Sequence, residues 1–135
     1  MVLTATLLLL APPAWGESKD EVVTRCHFDV GEFGAEMVHV CVKDDLAAEQ
    51  ALAGYPAEVK AIVARCTQVM EGAGWVRVKQ CADRDIEAAA ALAGYDKEHE
   101  ALIESCRKRL GEHGAASVKA CADREIAAKG ATEKN

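Results

Sequence analysis

Apolar residues recur at helical spacing through most of the chain. After Pro56, one stripe follows the i, i+3, i+4, i+7 rule and consists of Val59, Ile62, Val63, Cys66, Val69 and Met70. After Gly74, a second stripe consists of Trp75, Val78, Cys81, Ala82, Ile86, Ala89 and Leu92. Two amphipathic helices joined by a short turn that contains glycine predict an αα-hairpin.

This pattern occurs three times, with a period of forty residues. Three sets of residues recur at that period: Cys26, Cys66 and Cys106; Cys41, Cys81 and Cys121; and Gly34, Gly74 and Gly114. We expect each glycine to end the first helix of its unit, because glycine adopts the left-handed conformation of a C-cap. Fixed periods of about 20–50 residues are typical of repeat proteins. The sequence therefore predicts an all-α fold of three tandem hairpins, at about 18–55, 56–95 and 96–130, with a short polar C-terminal tail.

The repeat also selects the disulfide pairing among the many connectivities that six cysteines allow. Each unit holds one complete cysteine pair, placed symmetrically about the predicted turn, and an antiparallel hairpin puts such residues side by side. We therefore predict the pairs Cys26–Cys41, Cys66–Cys81 and Cys106–Cys121. Aromatic residues make up only 4% of the chain, so little bulky side chain is available to fill a core. We expect each disulfide to stabilise its hairpin by about 3 kcal/mol in the loop-entropy model.

The first residues have the pattern of an export signal. Val2–Ala14 is almost unbroken apolar sequence, shorter than the roughly 20 residues of a membrane span. Small residues at Ala14 and Gly16 then predict a signal peptide over 1–16, cleaved near Gly16, and a single mature domain over 17–135. No Lys or Arg precedes the run, so the true start codon stays open, and an uncleaved anchor is the alternative. With six cysteines, we expect a periplasmic or extracellular protein without stable membrane insertion after cleavage.

Composition and motifs argue against several functions. A net charge of −6 and few aromatic residues disfavour nucleic-acid binding. The chain has no Cys-x-x-Cys redox or haem motif and no His-x-x-x-His pair. We expect no enzyme, no cofactor and no metal site. A copper site built from His27, Met37 and His39 is the metal-binding alternative, although surface histidines explain the same residues.

An acidic residue follows the second cysteine of every unit at the fourth position: Asp45, Asp85 and Glu125. On a helix this position lies close to the buried stripe. Arg25 and Arg65 precede the first cysteine of two units and are the expected partners, whereas the third unit has Ser105 there. We expect a structural role for these acids. Two i,i+4 pairs predict a solvated face: Lys79 with Asp83, and Lys119 with Asp123.

The first two units close with the same four residues, Leu52-Ala53-Gly54-Tyr55 and Leu92-Ala93-Gly94-Tyr95. With their alanine-rich second helices, the hairpins resemble tetratricopeptide-type repeats over Ser18 to about Lys129. Some secreted relatives of that class are similar in having one disulfide in each hairpin. The chain lacks the aromatic and proline consensus of the class, so the resemblance is architectural. It implies a protein-binding scaffold.

We therefore expect an exported, non-enzymatic helical-repeat module that binds an unknown protein or peptide. Stacked hairpins display the extended surfaces that such binding uses. Phe33, Trp75 and His113 lie around the predicted turns and are the candidate interaction surface. Packing of Trp75 inside its hairpin is the alternative for that residue. The alternative function is a periplasmic metal- or small-ligand-binding protein that holds its ligand between repeats.

Overall fold

The computed structural model of the protein describes residues 17–132, and these residues form helices and turns. The six α-helices are α1 (Lys19–Val30), α2 (Ala35–Ala53), α3 (Lys60–Val69), α4 (Trp75–Ala93), α5 (Glu100–Leu110) and α6 (Ala115–Thr132). Helices α1 and α2 pack together as unit 1, α3 and α4 as unit 2, and α5 and α6 as unit 3. The predicted all-α fold of three hairpins is confirmed. The predicted signal peptide, 1–16, lies outside the described residues and stays a prediction, as does the end of the tail.

Each predicted disulfide pair is present. The Cα atoms are 5.8 Å apart in Cys26–Cys41, 5.7 Å in Cys66–Cys81 and 5.8 Å in Cys106–Cys121. The first cysteine of every pair is completely buried between the two helices of its hairpin. Three disulfides are typical of a protein in an oxidising, extracytoplasmic compartment.

Local sequence explains where the chain becomes helical. Helix α1 begins at a capping box, in which Ser18 Oγ accepts a hydrogen bond from the Glu21 backbone N–H at 3.3 Å. The Glu21 carboxylate accepts one in return from the Ser18 backbone N–H at 2.6 Å. Short 3₁₀ segments occupy most connections: Gly31–Phe33, Ala57–Val59, Lys97–His99 and Gly111–His113.

The expected role of the repeated glycine was wrong. The first helices end at Val30, Val69 and Leu110, before the glycines, which are instead the N-caps of α2, α4 and α6. Gly74 has φ 91° and ψ 161°, a positive φ with an extended ψ. That region is essentially closed to residues with a Cβ. The glycine therefore redirects the chain into the second helix. In units 1 and 3 it also ends the 3₁₀ turn that follows the first α-helix, which itself ends earlier.

The three units stack through their second helices. Helix α4 packs against α2 on one side and against α6 on the other, so α2, α4 and α6 form the spine of the stack. Val38, Val78 and Val118 occupy equivalent positions on this spine and are all buried. Among residues 17–132, no helix combines the length and the apolar character required to cross a membrane.

Candidate interaction surface

A buried carboxylate joins each unit to the next. In unit 1, Asp45 pairs with Arg25 of the same hairpin at 2.6 Å through Oδ2. Its other oxygen, Oδ1, accepts a hydrogen bond from the Val76 backbone N–H at 2.9 Å. Val76 lies in the first turn of α4, where helix N–H groups lack partners within the helix. One side chain of unit 1 thus closes its own hairpin and caps the second helix of unit 2.

Unit 2 repeats this arrangement toward unit 3. Asp85 pairs with Arg65 at 2.5 Å and accepts from the Ala116 backbone N–H at 3.0 Å. The predicted pairing of these acids with Arg25 and Arg65 is confirmed. What the sequence did not reveal is the second bond of each acid, which crosses to the following unit.

The repeated glycines leave room for the Arg–Asp pair of the preceding unit. A Cβ on Gly74 would lie 2.9 Å from Asp45 Oδ1, and one on Gly114 would lie 2.6 Å from a guanidinium nitrogen of Arg65. Real Cβ atoms do not show such contacts. The bare Cα of each glycine therefore admits the Arg–Asp pair of the preceding unit. Gly34 is the first of these glycines, and a Cβ there would meet no atom of residues 17–132 within 4 Å.

Tyrosines make a second connection between units. The Tyr55 hydroxyl donates to Asp83, and the Tyr95 hydroxyl donates to Asp123. Each tyrosine closes one unit, and each aspartate lies on the second helix of the next. Asp83 and Asp123 also accept from Lys79 at 2.6 Å and from Lys119 at 2.7 Å. The face predicted to be merely solvated therefore takes part in the contact between units.

Unit 3 ends the stack and departs from the pattern. Glu125 replaces the aspartate, and its partner is Arg109, which follows the first cysteine instead of preceding it. The distance between their side chains is 3.3 Å, and both are about half exposed. In contrast, Asp45 and Asp85 are each only 3% exposed. The acid at the open end thus has no following helix to cap within the described chain.

The three residues predicted as an interaction surface lie in different environments. Phe33 is 67% exposed, and His113 is also exposed, each at the turn of its own unit. Trp75 is only 9% exposed and belongs to the core shared by units 1 and 2. It is therefore buried, as in the alternative of packing, but this core includes unit 1 and not its own hairpin alone, so Trp75 does not extend an exposed surface around the turns.

Unit 1 exposes large apolar side chains that sequence reasoning did not group together. Phe28, Phe33, Met37 and Val40 are 91%, 67%, 44% and 42% exposed. Unit 2 has Gln68, Ala73, Arg77 and Gln80 at these positions, and unit 3 has Lys108, His113, Ser117 and Ala120. A comparison of equivalent positions across the three units would have found them. The hairpin fold does not require apolar residues there, because units 2 and 3 form the same hairpin without them.

A groove lies between units 1 and 2. Its volume is about 550 Å³, and its lining is Glu49, Leu52, Ala53, Lys60, Val63, Ala64, Thr67 and Trp75. Burial raises the pKa of Glu49, and the nearby carboxylates of Glu17 and Asp45 raise it further. Glu49 makes no hydrogen bond or ion pair within residues 17–132. Trp75 Nε1 is buried and has no hydrogen-bond partner in that range.

The described residues include one group of potential metal ligands that lie close together. Between residues 17 and 132, one group of three potential ligands comes together: Asp96, Glu98 and His99, at the mostly exposed start of unit 3. His27, Met37 and His39 of the copper hypothesis all have exposed side chains. That hypothesis stays a prediction.

The chain matches no known family model, and no curated protein or solved structure shows significant similarity to it. The resemblance to tetratricopeptide-type repeats therefore stands on the stacked, disulfide-linked hairpins alone.

Proposed function

We propose that this protein is an exported, non-enzymatic helical-repeat scaffold that binds another protein or a peptide through unit 1. The observation that carries the proposal is the exposure of Phe33, Met37 and Val40, which we call the apolar surface of unit 1. Met37 and Val40 lie three residues apart on α2, and Phe33 lies in the turn that precedes it. Exposed large apolar residues that are grouped together are typical of sites for protein partners.

The internal repeats make this argument sharper than exposure alone. A single exposed apolar residue on a soluble protein is ordinary. Here three equivalent hairpins share one backbone, and only unit 1 carries large apolar residues at the three positions. The Cys26–Cys41 disulfide holds the two helices of unit 1 together, so the surface is presented on a rigid support. Such preorganisation lowers the entropic cost of binding.

The test exchanges residues between units. A triple variant gives unit 1 the residues of unit 2: Phe33→Ala, Met37→Arg and Val40→Gln. A photoreactive group is placed at Asp29, an exposed residue near the end of α1, so that it cross-links the wild-type protein to its protein or peptide partner. We expect this cross-link to be lost in the triple variant. Val69→Asp is the matched control, because Val69 is an exposed apolar residue of unit 2 outside this surface. Equal capture by the wild-type protein and the triple variant would contradict the proposal.

The groove between units 1 and 2 supports a second candidate function, the binding of a small apolar ligand that carries a positive charge. Its volume falls within the range of about 300–1,000 Å³ that is usual for ligand pockets, and its lining is mainly apolar. Glu49 supplies a carboxylate that makes no ion pair with any of residues 17–132. At the junction of units 2 and 3, Ala89 and Ala115 stand where this groove has Glu49 and Trp75.

Trp75 provides the readout for this candidate, since the other tryptophan, Trp15, lies in the segment that we expect to be removed. Octylamine and octanoate have similar apolar chains and opposite charges. We expect octylamine to change the fluorescence of Trp75 with a saturable dependence, and octanoate to have little effect. Glu49→Gln should weaken the binding of octylamine. Equal responses to the two probes would show that Glu49 does not select a positively charged ligand.

A further inference from the structure

Each end of the stack presents one half of the contact that joins neighbouring units inside the stack. At each internal junction the preceding unit supplies an acid and an alanine, and the following unit supplies a glycine. These residues are Asp45, Ala48 and Gly74 at the first junction and Asp85, Ala88 and Gly114 at the second, and all six are buried. The same three positions recur at the ends of the stack, where they are uncovered.

Unit 3 presents the half that supplies the acid. Glu125 and Ala128 occupy the positions of Asp85 and Ala88, and both are exposed. Together with the exposed Ala127 they form what we call the tail face. Ala48 and Ala88 are 6% and 5% exposed, so covering by a following unit is the normal state of this position.

Unit 1 presents the half that supplies the glycine. Gly34 has φ 101° and ψ 169°, close to the 91° and 161° of Gly74, but no group of residues 17–132 fills the space beside it. The following residues include Glu36, whose backbone N–H is equivalent to the Val76 N–H that Asp45 caps. Within residues 17–132, no side chain accepts from this N–H in the way that Asp45 accepts from Val76. Gly34, Glu36 and Val40 form what we call the head face.

Further residues of the two faces are equivalent to residues that line a crevice at an internal junction. The crevice between α2 and α4 is lined by Ala47 and Ala48 on one side and by Val76 and Gln80 on the other. Their equivalents at the ends of the stack are Ala127 and Ala128 on the tail face, and Glu36 and Val40 on the head face. Val40 is apolar where Gln80 is polar, and it lies at the rim of this contact, because Ala47 and Gln80 both stay exposed at the internal junction.

We propose that the head face binds the tail face of a second copy of this chain, and so continues the stacking of the repeats from one molecule to the next. In this contact the Glu125 carboxylate takes the place of Asp45 and caps the start of α2 beside Gly34. A carboxylate is favoured there by the free N–H groups and the dipole of the helix. The interface is heterologous, so it does not close on itself and leads to open chains of copies.

This contact is weaker than the internal junctions for two reasons. Lys43 stands at the position of Asp83 and Asp123, so the acceptor of the tyrosine hydrogen bond is missing. In addition, the second copy is not covalently attached, and association costs translational and rotational entropy. The assembly therefore depends on protein concentration.

Sedimentation of the oxidised, exported protein over a wide range of concentration tests the proposal. We expect the average mass to rise continuously, without a plateau at two copies. Ala35 follows Gly34 on the head face, and Trp75 at the equivalent position is buried in the core shared by units 1 and 2. Ala128→Arg on the tail face and Ala35→Arg on the head face should each give a monomer, and Glu125→Gln should weaken the association. Ala101→Arg is the matched control, since Ala101 is exposed and its equivalent, Ala61, stays exposed beside an internal junction.

Mixing the two blocked variants is the decisive step, because each retains the face that the other has lost. Ala128→Arg and Ala35→Arg together should form a dimer that contains one copy of each and grows no further. A wild-type protein that stays monomeric would overturn the proposal, as would a symmetric dimer that Ala128→Arg leaves intact. Ala128 lies outside the apolar surface of unit 1, so these results are separable from the capture of a different partner there.

Discussion

Arg65 lies 2.5 Å from Asp85 across the second hairpin, and the other oxygen of Asp85 caps the start of α6. We predict that Asp85→Asn lowers the free energy of unfolding by about 3 kcal/mol, because it leaves a largely buried guanidinium without its partner charge. Chemical denaturation with the disulfides intact measures this change.

Glu125→Gln is the internal control for that prediction. Glu125 occupies the equivalent position in unit 3, but its ion pair with Arg109 is about half exposed. Exposed ion pairs contribute at most about 1 kcal/mol, so we expect a much smaller loss. The denaturation should be measured in dilute protein, so that association of copies does not contribute. Equal losses in the two variants would show that the following unit adds nothing to the role of the acid.

The three equivalent glycines allow backbone strain to be separated from crowding. Gly34, Gly74 and Gly114 share a positive φ, so replacement by alanine strains all three backbones by about 1–3 kcal/mol. At Gly74 and Gly114 the new Cβ also collides with the preceding Arg–Asp pair, whereas Gly34 has open space. We predict that Gly74→Ala and Gly114→Ala lower the melting temperature more than Gly34→Ala in dilute protein. A similar loss for all three would mean that the close approach is not limiting.

The tyrosine hydroxyls should titrate at unusually high pH in the folded protein. For Tyr95, the hydrogen bond to Asp123 is the main cause of a raised pKa; for Tyr55, burial is the main cause and the bond to Asp83 adds to it. The stability that this raised pKa contributes is fully present below the pKa of an unfolded tyrosine and is lost as the pH rises through the folded value. The chain has two tyrosines, so absorbance titration reports these two groups directly.

The aspartates that accept these hydrogen bonds make the stability of the protein depend on low pH as well. They also provide a control for the titration of the tyrosines. Hydrogen bonds from Lys119 and Tyr95 lower the pKa of Asp123, so its contribution to stability is present above the unfolded pKa and is lost as the pH falls through the folded one. Asp123→Asn should bring the titration of Tyr95 closer to that of an ordinary tyrosine and leave Tyr55 unchanged. Two unshifted tyrosines in the wild-type protein would contradict these hydrogen bonds.

Removal of one disulfide should weaken the whole stack. We predict that the double change Cys66→Ala and Cys81→Ala lowers the free energy of unfolding by about 3 kcal/mol, because the unfolded chain gains loop entropy. Unit 2 contacts both neighbours, so its loss of order also removes support from units 1 and 3. Thermal unfolding followed by circular dichroism measures the effect. An unchanged melting curve, in this variant or under reductant, would mean that the helical packing alone sustains the fold.

The sequence predicted the hairpins, the disulfides and the Arg25–Asp45 pair, because each depends on spacing within one unit. The contacts between units were not visible in the same way. Nothing in the local pattern shows that Asp45 caps the helix that begins at Trp75, or that Tyr55 reaches Asp83. The glycine was assigned to the wrong helix end because its spacing indicates an unusual φ but not the ψ or the neighbour that requires it.

The candidate surface was predicted only in part, for a related reason. Phe33 was identified from its position near a turn, and Trp75 was grouped with it on the same basis. Position along a helix does not reveal which side a neighbouring unit covers, and Trp75 is buried in the core that unit 2 shares with the preceding unit. Met37 was considered only as a metal ligand, and Val40 was not considered, because their meaning comes from the polar residues at the same positions in units 2 and 3.

The bond from each acid to the following helix gives the stack a direction, and it makes the number of hairpins adjustable. Excision of residues 56–95 would join Tyr55 to Asp96 and bring unit 3 directly after unit 1. Asp45 would then cap the N–H of Ala116, with Gly114 in the place of Gly74, and Tyr55 would meet Asp123. The polar contacts of the new junction would again consist of matched parts, so the hydrogen bonds that join the units can survive the duplication or deletion of a whole unit.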